Sequence, residues 1–328
     1  MSETRPAIIA RLTRKLRREG WAGVASILRR TWQRFNRERS PVRWAQFGAA
    51  SRLLGRAAPT RQPAVVVLSL PRSGSSWVGQ TLGLAPDAAY LREPLDQLYL
   101  DQGGLASVHD YTPGAPPPAY LRAASLAFLG VPAFPRRLPI VASPQQWALA
   151  GRRRRRVVVK LINPFAAPWL LRAYQPRLIY LVRHPAAVAL SHRRLGWWSA
   201  DPDIWTKVGR SYHDAHQALL NASAGGATVR IIPYETLCLD PLNQFRQLFE
   251  FAGLTWDERL AGPILAQTSG GDDANPYSLA RDSRAQISRW RSAIQPRELA
   301  ELRAGFCHSP LPWYQAEEDW SLNTKDEG

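Results

Sequence analysis

The chain reads as an α/β protein built on a parallel, doubly wound sheet. Short, continuous apolar runs at Val65–Leu70, Val157–Ile162, Leu178–Arg183 and Val229–Tyr234 have the branched composition of strands buried on both faces. Stretches of helical character separate them, and strands alternating with helices give a parallel sheet. The first run passes through a Gly- and Ser-containing turn straight into a helix, which is the geometry of an anion site.

Composition narrows the class. A chain of 328 residues fits one large α/β domain or two smaller ones, and 45% hydrophobic residues is globular. Cys238 and Cys307 supply neither a disulfide framework nor a metal cluster. They fit a reducing compartment, so the expected location is cytoplasmic, with at most peripheral membrane attachment. No 18-residue apolar run and no signal peptide are read. The six histidines (His109, His184, His192, His213, His216 and His308) show no zinc-ligand spacing with Cys, and His213 and His216 read as polar surface residues on one helix. A net charge of +17 suggests nucleic acid or anionic membrane. Its distribution argues against nucleic acid, because residues 1–62 and the run Arg152–Arg156 hold the whole excess and the rest is neutral.

Residues 1–62 form a basic leader. Ile8, Leu12 and Leu16, then Val24, Leu28 and Trp32, recur at helical spacing with Arg between them, predicting amphipathic helices. Two readings stand: peripheral attachment to an anionic membrane, or an arm packed on the following domain or a partner subunit. Arg61-Gln62-Pro63 leads into the domain, residues 63–328.

Val65–Leu70 is the first strand. Pro71-Arg72-Ser73-Gly74-Ser75-Ser76-Trp77 is the turn, and the helix runs from Ser76 to about Leu84, stopped by Pro86. Backbone N–H groups, a helix dipole, the Arg72 cation and Ser hydroxyls together predict a phosphate cradle. It is not a Walker loop, which needs two glycines and a closing Gly-Lys. Ala88–Pro94 reads as a short strand ending in a turn. Residues 95–150, rich in Pro and Gly, read as a substrate-binding lid wrapped over the site. Arg152–Arg156 reads as a solvated turn, near anionic substrate or, alternatively, as a nucleic-acid patch. Lys160 stands inside an apolar strand, one of only four lysines in the chain. At the carboxyl end of that strand it points into the crevice where open α/β sheets bind ligands; the alternative is a snorkelling side chain. Asn163-Pro164 closes the strand. Leu178–Arg183 precedes a helix opened by His184-Pro185 and running to about Arg194. Trp197, Trp198 and Trp205 either line a sugar or lipid site or pack. Residues 203–222 are helical. Asp240-Pro241 caps a periodic helix ending near Gly253.

Four of these segments together resemble sulfotransferases that use 3′-phosphoadenosine-5′-phosphosulfate (PAPS), most nearly the carbohydrate type. They are the Pro71–Trp77 loop; Leu178–Pro185 with Ser191; Tyr234-Glu235-Thr236-Leu237 with Asp240-Pro241; and Ser283-Arg284 with Ile287-Ser288-Arg289-Trp290-Arg291. The resemblance covers about residues 63–305 and implies a P-loop-like three-layer fold, a central parallel sheet flanked by helices, with the basic helical arm in front. It implies that Arg72, Ser73, Gly74, Ser75 and Ser76 bind the 5′ end of PAPS, with Trp77 near adenine. It places Arg183, Ser191 and Arg284 on the 3′-phosphate and Tyr234 in the nucleotide site. It implies no metal, and 3′-phosphoadenosine-5′-phosphate (PAP) as product. Arg72 and Lys160 would stabilise charge on the transferring and leaving oxygens. The family's Lys-Thr-His has Ile162 at the His position here, so the base is sought at Glu93 in Arg92-Glu93-Pro94; the alternative is a Glu salt-bridged to Arg72 or Arg92. The implied acceptor is a glycan hydroxyl, with small-molecule or lipid acceptors as the runner-up. A nucleoside-phosphate kinase would need a Walker Gly-Lys, and a non-enzymatic basic binding protein would spread its charge over one face; neither pattern is present.

Overall fold

The structure, a computed structural model, describes residues 40–95, 118–132, 141, 143–197, 201–270 and 282–322. Five parallel strands, β1 (Arg61–Ser69), β2 (Ala88–Arg92), β3 (Arg156–Leu161), β4 (Arg177–Val182) and β5 (Val229–Pro233), lie in the order β2-β3-β1-β4-β5. The helices are α1 (Ala49–Ala57), α2 (Ser75–Leu82), α3 (Pro118–Phe128), α4 (Ala167–Tyr174), α5 (Pro185–Arg194), α6 (Ile204–Ser223), α7 (Tyr234–Leu239), α8 (Pro241–Ala252), α9 (Ala261–Ala266), α10 (Ala285–Ser288) and α11 (Pro296–Phe306). None of the described helices is long and apolar enough to cross a membrane.

The apolar runs work because side chains alternate across a strand. Val66, Leu68, Val157, Val159, Leu178 and Tyr180 face a core shared with α3, α4 and the end of α6. Val65, Val67, Val158, Ile179 and Leu181 face the other way, onto α2 and α8. Both faces are covered, which makes the three-layer, P-loop-like arrangement. A third apolar cluster joins α5, α6 and α11 to Trp290 and Trp320 beyond the sheet. There Gly209 of α6 and Gly305 of α11 let two backbones touch: a Cβ on Gly305 would stand 2.1 Å from the Thr206 carbonyl oxygen.

The structure alters four expectations. Arg152–Arg156 is a solvated turn only in part: Arg153 and Arg154 are exposed, but Arg152 and Arg156 are not. It enters β3 at the sheet's amino-terminal edge, opposite the crevice. Arg152 is only 3% exposed and donates to the carbonyls of Ala58, Leu129 and Gly130. Arg156 is buried too and donates to Pro63 O. Desolvation pushes both guanidinium pKa values down to about 10. Second, the described parts of 95–150 are not a lid. Tyr120, Ala124, Phe128 and Trp147 are buried in the main core, and Gln146 bridges Tyr90 N and Gly83 O beside β2; residues 96–117 and 133–140 lie outside the described part. Third, His213 and His216 are both buried, because they continue the apolar stripe of Trp205, Val208, Tyr212, Ala215 and Leu219 on α6. Fourth, β1 begins at Arg61, and residues 40–57 already pack on the domain: Trp44 donates to Trp147 O at 2.8 Å and lies under Arg152. The amphipathic stretch through Trp32 lies outside the described residues, as does Trp198. Trp205 is buried in the third cluster, and Trp197 tilts against His192.

Candidate active site

The β1–α2 loop sits at the carboxyl edge of the central strand. β1 ends at Ser69, and the loop turns through Arg72 and Gly74, both with positive φ (69° and 96°), before α2 starts at Ser75. Glycine is required at 74, since a Cβ there would also stand 2.6 Å from Tyr234 Cδ2. Ser73 and Ser75 point inward and are buried; Ser75 Oγ is hydrogen-bonded to Ser69 Oγ at 2.8 Å. The loop therefore offers an anion its backbone and the first N–H groups of α2 more than these two hydroxyls. Ser76 is half-buried. Trp77 is buried, edge-on to Phe245 and Tyr234.

A cavity of about 310 Å³ opens beside this loop. Arg72, Arg183, Arg193, Arg194 and Arg289 line it with Ser191, and no carboxylate does among the described residues. Arg72 Nε donates to Ser191 Oγ at 3.0 Å, and Arg183 donates to the Arg72 carbonyl at 2.9 Å. Arg183 lies over the Tyr234 ring, 4.3 Å from its centroid, and its buried Nε has no hydrogen-bond partner among the described residues. Burial drives the Tyr234 phenol well above its ordinary pKa, so it stays neutral under the cation. Arg193 is also paired with Glu298 at 2.6 Å. His184 stacks on Trp290 at 4.1 Å behind Arg183, with its pKa pushed down to about 3 chiefly by burial. Glu235 accepts from the His184 backbone N–H and from Tyr314 Oη, closing that wall.

One strand over from β1, Lys160 and Glu93 meet. Lys160 is 2% exposed, so it does not snorkel, and it is ion-paired with Glu93 Oε1, whose side chain is 13% exposed. Glu93 leaves β2 with φ 51°, its N–H bonded to Lys160 O at 2.8 Å. The Glu93 partner is thus Lys160, not Arg72 or Arg92.

The sulfotransferase family model matches residues 63–258. The chain belongs to the sulfotransferase family. It is 27% identical over 297 residues to human carbohydrate sulfotransferase 5, covering 70% of this chain and 72% of that one. It is 28% identical over 312 residues to human carbohydrate sulfotransferase 6, covering 74% and 78%. A mouse sulfotransferase crystallised with PAP superposes with a TM-score of 0.45 at 15% identity, over 78% of this chain and 88% of that one.

This sulfotransferase thus gathers Arg72, Gly74, Arg183, Ser191 and Tyr234 at one crevice, with Lys160 and Glu93 paired at the neighbouring strand ends. Arg284 is not brought to the cavity; it is exposed and donates to Leu239 O at 3.3 Å. Arg289, from the same segment, lines the wall instead. Sequence reasoning missed Arg193, Arg194 and His192. His192 Nε2 meets Pro71 O at 3.1 Å, and its Nδ1 meets Tyr212 Oη at 2.6 Å, tying the loop to α5 and α6. Their signal was adjacency to Ser191 on one helix; which of them face the loop is set only by the packing of α5.

Proposed function

We propose that this sulfotransferase moves a sulfuryl group from PAPS to a carbohydrate hydroxyl. The observation that carries the reading is the arginine-lined cavity joined through Arg72 to the β1–α2 loop. Two anion sites at neighbouring strand ends suit a nucleotide charged at both its 5′ and 3′ positions. The fit is chemical as well: among the described residues, the buried Nε of Arg183 has no partner and no carboxylate lines the cavity, and both call for an anion. PAPS bound there would supply the sulfuryl group and leave as PAP. Arg183, Ser191 and Arg289 hold the 3′-phosphate, and Tyr234 supports Arg183 from below. Arg72 and the N-terminus of α2 hold the 5′ end, where their positive charge is aimed at the oxygen that gains charge in transfer. Lys160 fixes the Glu93 carboxylate at the crevice, and a Glu93 oxygen takes the acceptor's hydroxyl proton. The carbohydrate acceptor rests on the two human relatives, both named carbohydrate sulfotransferases.

Calorimetric titration with PAP, ADP and AMP tests the nucleotide site. PAP should bind selectively in the wild type and lose at least about tenfold in Arg183→Ala, as a charge-assisted bond would. Equal binding of ADP and PAP would overturn the reading. A screen of glycans against small phenols and lipid alcohols, with PAPS as donor, tests the acceptor class; turnover confined to the latter two would replace the carbohydrate.

A further inference from the structure

The crossing of α6 and α11 builds a second polar cluster, which the proposed mechanism does not use. Because Gly209 and Gly305 allow backbone contact, the turn after α11 is drawn onto α6, and His308 lands on His213 with ring centroids 3.9 Å apart. Asp214 completes the group. Its Oδ1 lies 3.2 Å from His213 Nδ1 and 3.9 Å from His308 Nε2, and one donor atom from each of the three residues lies within 4.8 Å of the others.

The outer hydrogen bonds orient both rings. His308 Nδ1 is 2.7 Å from the Gly305 carbonyl. A carbonyl only accepts, so Nδ1 carries the proton and the neutral ring presents a lone pair at Nε2. His213 Nε2 meets Ser309 Oγ at 2.8 Å, which leaves Nδ1 as the inward nitrogen. Two imidazole nitrogens and a carboxylate oxygen therefore converge, with His213 Nδ1 already in hydrogen-bond contact with Asp214 Oδ1. Three potential ligand atoms thus face one point, and remote nitrogens held by a carbonyl and a hydroxyl are what metal-ligating histidines show.

We propose that His213, Asp214 and His308 form a binding site for a divalent transition-metal ion, with zinc the best fit to two imidazoles and one carboxylate. Zinc–ligand bonds of about 2.0–2.2 Å need donor atoms roughly 3.3 Å apart, a small rotamer adjustment from the separations present. His213 is buried while the side chains of His308 and Asp214 are 31% and 52% exposed, so water takes the fourth position from the open side. The ion pins the end of α11 to α6. Since Glu298 of α11 pairs with Arg193 at the cavity wall, the ion acts on stability at a distance from the chemistry.

The test uses the tag-free full chain, stripped with EDTA and dialysed. Zn²⁺ titrated by calorimetry should bind at one ion per chain. Co²⁺ should give the visible ligand-field absorption of a four-coordinate nitrogen and oxygen site. The thermal midpoint should rise with Zn²⁺ and fall back with EDTA. His308→Gln and Asp214→Asn, both at the exposed side, should keep the wild-type circular dichroism and weaken Zn²⁺ at least about tenfold. Absence of a stoichiometric ion in the wild type, or unchanged affinity in both variants, would overturn the proposal; the wild-type stoichiometry and Co²⁺ spectrum decide it even where a variant folds poorly.

Discussion

Gly74→Ala probes the junction on which the nucleotide site turns. Two costs add. Alanine at φ 96° meets the left-handed penalty of about 1–2 kcal/mol. Its Cβ would also sit 2.6 Å from Tyr234 Cδ2 and 2.9 Å from Cε2, so the ring must move, an overpacking cost of about 1–3 kcal/mol. The sum is centred on about 3.5 kcal/mol, a fall in Tm of roughly 7–14 °C for a domain of this size. Because the same ring carries Arg183 at 4.3 Å, PAP affinity should fall with stability. Gly196→Ala is the control: its φ is also positive, at 68°, but nothing lies within 4 Å of an added Cβ. It should show the conformational penalty alone and leave PAP binding unchanged. In a Tyr234→Ala background the excess cost of Gly74→Ala over Gly196→Ala should vanish. Differential scanning calorimetry and PAP titration on the five proteins measure this. Equal losses for Gly74→Ala and Gly196→Ala, or an undiminished loss in the double variant, would refute the argument.

Three further outcomes are expected. Glu93→Gln should lower kcat about 10²–10⁴-fold with PAP affinity unchanged; wild-type turnover would remove Glu93 as the base. Arg152→Met strands the buried carbonyls of Ala58, Leu129 and Gly130 and should cost about 3 kcal/mol or more in urea unfolding, while exposed Arg154→Ala stays within about 0.5 kcal/mol. Burial holds His184 and His216, ordinarily near 6.5, at about 3 in the folded protein, so the unfolded chain takes up protons first. Their stability contribution is complete above 6.5 and is lost as pH falls toward 3. By pH 5.5 the two should together cost about 3 kcal/mol, read from urea midpoints in EDTA; a flat profile between pH 7.5 and 5.5 would contradict their burial as neutral rings.

What the sequence made legible was local. The Val65–Val67 run, the single glycine and the serines marked the strand, the turn and the helix start, because strand periodicity and αL glycines are written residue by residue. The strand end and helix start around Arg183 and Ser191 were legible in the same way, but their place on the 3′-phosphate came only from the family resemblance. The rest depended on what surrounds a residue. Arg152 reads as solvated until three carbonyl oxygens are seen to close on its guanidinium. The helix Pro118–Phe128 carries Ala123, Ala124 and Ala127 on its buried face, too little hydrophobic contrast to stand out among prolines. His213 and His216 did sit on a legible stripe, but their polarity outweighed it. Arg289 rather than Arg284 reaches the cavity because the chain turns through a short helix between them.

The position of β1 has a consequence for the chain as it is made. The central strand is the earliest, yet both its neighbours come late: β3 must arrive before one edge is hydrogen-bonded, and β4 before the other. At about 5–20 residues per second, the roughly 90 residues between the end of β1 and the start of β3 take about 4–17 s to synthesise. Through that interval a valine-rich strand with two open edges is a template for association with other nascent chains. Arg52 and Arg56 stand just upstream and Arg61 opens the strand, placing repelling charge beside the valines. Positive charge at the entrance of an apolar strand is the kind of flank that disfavours such association while the strand waits for its partners.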